Sequence, residues 1–363
     1  MFLSRLDLKT RKFKFLVIRH NTFLKKIKNI LSPLIFLSSF IIFTIIMYAC
    51  ENESNKKESI LPMGKVIFDS LNPEDKRVTD FGKQLFFDVR LSVDNSVSCA
   101  SCHLPERAFT DGRVKGEGVF GRTSMRNVPT LLNIVYQPHF MFDGAVPTLE
   151  MQALVPLKDT NEMGNDIQQL IHKLSAIPEY QALALALYGR DFDAFVLTRA
   201  LGNFQRSLIS QYSPFDNWYF NKDATDFSSS AERGYRIFSE KLYCTSCHTP
   251  PAFTTYEILN NGIDTLNLDE GLFRITGNSV DIGKFKVPTL RNISLTAPYM
   301  HDGSIENLYD LIQYYSKGGY KHQNQDLRIK PFELNAEEVE DLIHFFEALT
   351  DTSYMNLYTG LTR

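Results

Sequence analysis

Cys99-Ala100-Ser101-Cys102-His103 and Cys244-Thr245-Ser246-Cys247-His248 are two copies of one pattern, Cys-x-x-Cys-His. In this pattern the two thiols add to the vinyl groups of a haem as thioethers, and the adjacent histidine ligates the iron. A disulfide, a zinc site and a thioredoxin-like pair use similar spacings. A thioredoxin pair needs no histidine after its second cysteine, and a zinc site would need both cysteine pairs to converge on one metal. The reading is therefore two covalently bound c-type haems. Cys99, Cys102, Cys244 and Cys247 attach them, and His103 and His248 ligate the irons.

The sequence around the motifs repeats as well. Val128-Pro129-Thr130-Leu131-Leu132-Asn133-Ile134 leads to Phe142-Asp143-Gly144, and Val287-Pro288-Thr289-Leu290-Arg291-Asn292-Ile293 leads to His301-Asp302-Gly303. Upstream, Gly82-Lys83-Gln84-Leu85-Phe86 precedes the first motif and Gly234-Tyr235-Arg236-Ile237-Phe238 the second. Each haem motif carries the same flanking kit, which points to duplication. Apolar residues at helical spacing predict helices over 74–88, 148–156, 166–173, 178–188, 191–212, 229–240, 305–316 and 335–349. The Val-Pro-Thr stretches cannot be helix interiors, because proline restricts the residue before it. Gly- and Pro-rich runs at 112–129 and 249–288 read as long loops over the haem faces. The expected fold is mainly α, with a chain break near 215–228.

The fifth cysteine, Cys50, ends a leader. Residues 1–30 hold nine Lys or Arg against one acid, Asp7, and residues 31–49 are largely apolar. Basic head, apolar core and small Ala49 make an export signal over 1–49. Cys50 resembles the lipidated cysteine of a bacterial lipoprotein, although Met47 and Tyr48 are not the usual residues before it. The alternative is an uncleaved membrane anchor, since the apolar run could just span a bilayer. Residues 50–61 then form a tether. Either reading places the body outside the cytoplasm, in the periplasm or cell envelope, and the first adds a lipid anchor to the membrane. Without residues 1–30 the chain keeps 30 basic against 41 acidic residues, a net −11. An acidic body lacks the basic footprint of a nucleic-acid binder and suits a basic redox partner.

The two haem motifs, "RNVPTLLN" with "FDG", "TLEMQALVPL" and "NEMG", and "FKVPTLRNISLTAPYMHDG" together resemble the bacterial di-haem cytochrome c peroxidase family over residues 62–350. The resemblance implies two cytochrome-c-like haem domains in tandem, a peroxidatic domain at 62–215 and an electron-transfer domain at 216–350, with a tail at 351–363. It implies that Glu162 is the distal acid–base residue and Gln152 the distal amide. A carboxylate there could take a proton from peroxide and return one to the leaving oxygen, which an amide cannot. It also implies a calcium ion near Asn127, Thr296 and Pro298, held by an amide oxygen, carbonyls and water.

Three departures matter. Family members that need reductive activation carry a distal histidine in the loop after the first haem motif. That loop, 104–137, has no histidine, and Val119 falls about where one would be. The first iron is therefore expected to be five-coordinate and open, with His139 as a rim or packing residue. The usual methionine ligand of the second haem is replaced by Tyr315, as in the MauG branch, with Tyr314 and Met300 as rivals. Tyrosinate is a hard donor that would lower the reduction potential relative to methionine. Finally, Phe142 stands where the family places a tryptophan between the haems, and the only tryptophan, Trp218, lies elsewhere.

The first functional expectation is a di-haem peroxidase that reduces hydrogen peroxide to water with electrons from a small donor protein, a cytochrome c or cupredoxin. The second is a MauG-type enzyme that oxidises a protein or organic substrate through a high-valent haem state. The third is a non-enzymatic electron carrier, which Glu162 and Gln152 argue against. The sequence leaves monomer and homodimer both open.

Overall fold

The computed structural model describes residues 61–68, 71–264, 266 and 268–357. The leader, Cys50, the tether up to residue 60 and the end of the tail lie outside them. The helices are α1 (Lys76–Phe86), α2 (Cys99–Cys102), α3 (Leu149–Lys158), α4 (Ile167–Ser175), α5 (Pro178–Tyr188), α6 (Ala194–Arg206), α7 (Pro214–Tyr219), α8 (Ser229–Arg236), α9 (Phe273–Thr276), α10 (Leu308–Ser316) and α11 (Ala336–Glu347). The one sheet among the described residues pairs β1 (Ile258–Leu259) antiparallel with β2 (Phe285–Lys286). The fold is mainly α, and the expected helices form, most with shorter ends, while Leu149–Lys158 and Ile167–Ser175 run past the expected 156 and 173. Side-chain caps set several starts: Asp75 accepts from the Arg77 N–H, Asp193 from Val196 and Ser228 from Ala231, as unpaired first-turn donors require.

Two apolar cores form, one from residues between Phe81 and Leu208 together with Tyr354, and one from residues between Phe215 and Leu349. Each is organised by the same helix crossing. A Cβ on Gly82 would lie 1.9 Å from the Ala200 carbonyl oxygen, and one on Gly234 would lie 1.9 Å from that of Asp341. Only glycine lets α1 meet α6, and α8 meet α11, at this distance. Four residues on, Phe86 packs on Phe204 with centroids 4.9 Å apart, and Phe238 packs on Phe345 at 5.1 Å. The Gly-x-x-x-Phe repeat in the sequence is thus the contact face of a duplicated helix pair.

The other repeated residues act alike. Thr130 Oγ1 donates to the Ala108 carbonyl (2.6 Å) and Thr289 Oγ1 to that of Ala252 (2.7 Å). Asn133 and Asn292 both adopt left-handed backbone, each with φ 59°, which asparagine tolerates better than most residues. Each asparagine then pins the chain that follows α6 or α11. Asn133 exchanges amide hydrogen bonds with the Ser210 backbone, and Asn292 does the same with the Asp351 backbone.

These two pins meet. Ser210 Oγ donates to Asn292 Oδ1 (3.3 Å), and Asp351 Oδ2 accepts from the backbone of Gln211 and Tyr212. Beside them Arg291 makes a bidentate pair with Asp216 at 2.7 and 2.8 Å, both side chains essentially inaccessible. Two expectations shift here. The segment near 215–228 carries α7, whose Phe215 is wholly buried in the second core. Residues 351–355, expected as tail, are built into the junction, and Tyr354 packs on Phe109 of the first core. Neither segment has enough helical periodicity to announce this.

Gly→Ala inside an ordinary helix raises stability by up to ~1 kcal/mol. At Gly82 and Gly234 the sign should reverse, with a loss of about 1–3 kcal/mol from overpacking. Denaturant unfolding of the haem-loaded variants checks it, and a stabilised Gly234→Ala would contradict the crossing.

Candidate active site

The two motif histidines are prepared in the same way. His103 Nδ1 lies 2.8 Å from the Phe109 carbonyl oxygen, and His248 Nδ1 lies 3.0 Å from that of Phe253. A carbonyl only accepts, so each Nδ1 carries the proton and each Nε2 keeps its lone pair. Thr130 and Thr289 clamp the carbonyls of Ala108 and Ala252, one residue before Phe109 and Phe253. The Val-Pro-Thr repeats therefore hold the loops that orient the histidines. Burial lowers the pKa of His103 and takes His248 to about 4, so both rings stay neutral, as metal ligands must be.

One continuous cavity of about 740 Å³ is lined by both Cys-x-x-Cys-His motifs. The four thiols are unbridged. Burial pushes Cys99 and Cys244 up to about 12 and Cys102 to about 11. Among the described residues no group of three or more His, Cys, Asp or Glu is placed to hold a metal, so the thiols do not converge as a zinc site would require. Paired thiols, a neutral imidazole with a free Nε2 and apolar walls from Phe86, Leu131, Phe238 and Leu290 form a donor set that fits a c-type haem in each half.

Gln152 and Glu162 line this cavity with the first motif. Gln152 is on α3, which starts at the Thr148 cap and contains Pro156. Glu162 is held by its backbone: its N–H donates to the Asp159 carbonyl, and its own carbonyl accepts from Val119 N–H at 2.8 Å. A Cβ on Gly118 would lie 2.4 Å from the Glu162 carbonyl oxygen, so glycine allows the 118–119 loop to approach. Val119 is fully buried there and offers an aliphatic side chain with no lone pair. Burial, and then repulsion from Asp159, pushes the Glu162 carboxyl up to about 7. Among the described residues no donor hydrogen-bonds that carboxylate.

On the second side, Tyr315 and Met300 line the cavity and Tyr314 does not. The Tyr314 hydroxyl donates to the Asn261 carbonyl at 2.7 Å. Burial raises the pKa of Tyr315, and the Asn261 amide opposes that rise. Asn127, Thr296 and Pro298 also line the cavity. The Asn127 N–H donates to the His301 carbonyl (2.8 Å), which brings the first repeat to the turn holding the other two. Asn127 Nδ2 is spent on the Arg113 and Val114 carbonyls. His139 is exposed and outside the lining, and Trp218 stacks on Phe227 in the second core.

Beyond Phe142, which the sequence reading named, several lining residues escaped it. Phe142 does line the cavity, and its carbonyl accepts from Lys286 N–H at 2.7 Å. Phe285 stacks on His301 with centroids 3.9 Å apart, and Arg126 lies over Phe285 while pairing with Asp143 and Asp269. Burial, partly offset by Asp143, takes the Lys286 amine to about 8, and it donates to Gln137 and the His139 carbonyl. Gln205 presents a buried Oε1 without a hydrogen bond. Its helix position reads simply as core, so spacing could not have found it.

A family model for di-haem cytochrome c peroxidase matches residues 76–225. The chain is 36% identical to the methylamine utilization protein MauG of Methylorubrum extorquens, over 77% of this chain and 79% of the relative. It is 32% identical to the cytochrome-c peroxidase IdrP1 of a Pseudomonas species, over 80% and 85%. A solved MauG-like protein associated with microbial copper homeostasis matches with TM-score 0.74 and 30% identity, covering 85% of this chain and 98% of that one.

Glu162 ties pH to stability. An unperturbed glutamate titrates at 4.5 and the folded one at about 7. Between these values the folded protein holds a proton that the unfolded chain has lost, so stability falls as pH rises through that window. Urea unfolding should show a flatter profile for Glu162→Gln across it, and parallel profiles would contradict the shift.

Proposed function

The chain belongs to the di-haem cytochrome c peroxidase family, and on that footing we propose that it reduces hydrogen peroxide to water with electrons from a small donor protein. Membership makes it a peroxidase-type oxidoreductase and implies two c-type haems. When bound, the haems supply the iron at which peroxide is reduced and the store for incoming electrons. Two tandem cytochrome-c-like domains divide this work, the first peroxidatic and the second receiving electrons.

The single observation that carries the reading is Glu162, half-buried in the cavity beside the first motif with a carboxyl at about 7. Cleaving the O–O bond needs a proton taken from one oxygen and a proton given to the other. Two protons and two electrons then balance peroxide to two waters. A carboxyl that is part protonated at neutral pH serves both transfers. Gln152 orients peroxide through its amide, and the buried aliphatic Val119, where relatives that need activation carry a distal histidine, supplies no donor atom to block the first site. His103 and His248 would hold the irons, and Tyr315 would supply an oxygen donor to the second.

A second reading is supported by Tyr315 and Met300 lining the cavity while the Tyr314 hydroxyl is engaged elsewhere. A tyrosinate ligand suits oxidation of a protein or organic substrate better than a high-potential electron store. We assign calcium to the Asn127 Oδ1 and to the carbonyls of Thr296 and Pro298, completed by water. The leader and Cys50 support a lipid-anchored place in the periplasm or cell envelope.

Glu162→Gln should lower peroxide turnover about 10²–10⁴-fold with both haems attached; unchanged turnover would remove Glu162 from the mechanism. Failure of every reduced cytochrome and cupredoxin to serve as donor would favour the second reading. Metal analysis should find one calcium per chain, and chelation should depress turnover reversibly. Full activity in calcium-free protein would refute that assignment.

A further inference from the structure

Asn261 sits between the two side chains that compete for the second iron. Its Nδ2 lies 3.1 Å from the Met300 sulfur and 3.5 Å from the Tyr315 hydroxyl oxygen. An amide nitrogen has two hydrogens, so it can serve both. The orientation of the amide is fixed by the backbone. Asn261 Oδ1 accepts from the Ile263 N–H (3.2 Å), which turns the nitrogen toward Met300 and Tyr315. The residue itself is pinned by its carbonyl, which accepts from the Tyr314 hydroxyl. All three residues, Asn261, Met300 and Tyr315, line the cavity.

Met300 is held in left-handed backbone, φ 76°, a strained conformation for a side-chain-bearing residue that needs support from its surroundings. A thioether is a weak acceptor, and the sulfur lone pair that meets this N–H is not available to an iron. A phenolate oxygen, in contrast, gains from a donated hydrogen bond while it ligates a metal, since the ligand's outer partner fixes its orientation.

We infer that Asn261 is a positioning residue that selects the second haem's sixth ligand, drawing the Met300 thioether aside and steadying Tyr315. This rests on the reading of Tyr315 as that ligand. Asn261→Asp keeps the oxygen that accepts from Ile263 and removes the N–H. Asn261→Leu removes both at similar volume. Methionine should then take the iron in both variants.

Near-infrared absorption of the ferric, haem-loaded protein reads the outcome. The wild type should lack a methionine-type charge-transfer band. The Asn261→Asp protein should gain one and rise in reduction potential, and Asn261→Asp/Met300→Leu should lose the band again. If Asn261→Asp does not load both haems, Asn261→Leu gives the same test. A variant spectrum identical to wild type, or any change without the methionine band, overturns the inference. A methionine band already present in the wild type would instead overturn the Tyr315 reading on which it stands.

Discussion

Two glycines, Gly82 and Gly234, let two helix pairs approach closely, and much of the site follows from them. With a Cβ forbidden by a facing carbonyl in each case, α1 lies against α6 and α8 against α11. That closeness brings Phe86 and Phe238 onto Phe204 and Phe345. The same phenylalanines pack against Phe109 and Phe253, whose carbonyls fix the protons of His103 and His248. A steric constraint between helices thus passes through an aromatic cluster to the tautomer of a ligand. Packed interiors transmit constraint in this way because they contain few voids to absorb it.

The two halves repeat each other up to this point and then diverge. The Asn133 and Asn292 pins meet at Ser210 and Asp351, and the Asp216–Arg291 pair lies beside them. Burying such a pair is expensive, and removing one partner typically costs about 3–5 kcal/mol, so its worth lies in fixing how the halves meet. What the halves present to the shared cavity is not duplicated. The first offers a raised-pKa carboxyl and an amide. The second offers a phenol, a thioether and the Asn261 amide. The proposed division of labour rests on that asymmetry around two equal motifs.

Much of this was legible in the sequence because it is local. Cys-x-x-Cys-His fixes its own chemistry, helical periodicity gave most helices, and the Gly-x-x-x-Phe and Val-Pro-Thr repeats marked the duplicated parts. The mainly α reading and the family resemblance both agree with the structure and the relatives. What stayed hidden depends on long-range contact. Asn261 is separated from Met300 and Tyr315 by a loop and short helices. Gln205 looks like any buried helix residue, and the Phe285–His301 stack joins a strand to a turn. The role of the repeated threonines and asparagines was equally invisible, because the carbonyls they hold lie far along the chain.

The central claim is that two like motifs back unlike distal faces, an open one before Glu162 and a closed one before Tyr315. Electron paramagnetic resonance of the untreated ferric protein tests it most directly, since spin state reports whether an iron's sixth position is filled. The account predicts one high-spin haem beside one low-spin haem with histidine and tyrosinate ligands. Two low-spin haems in the untreated protein would contradict it.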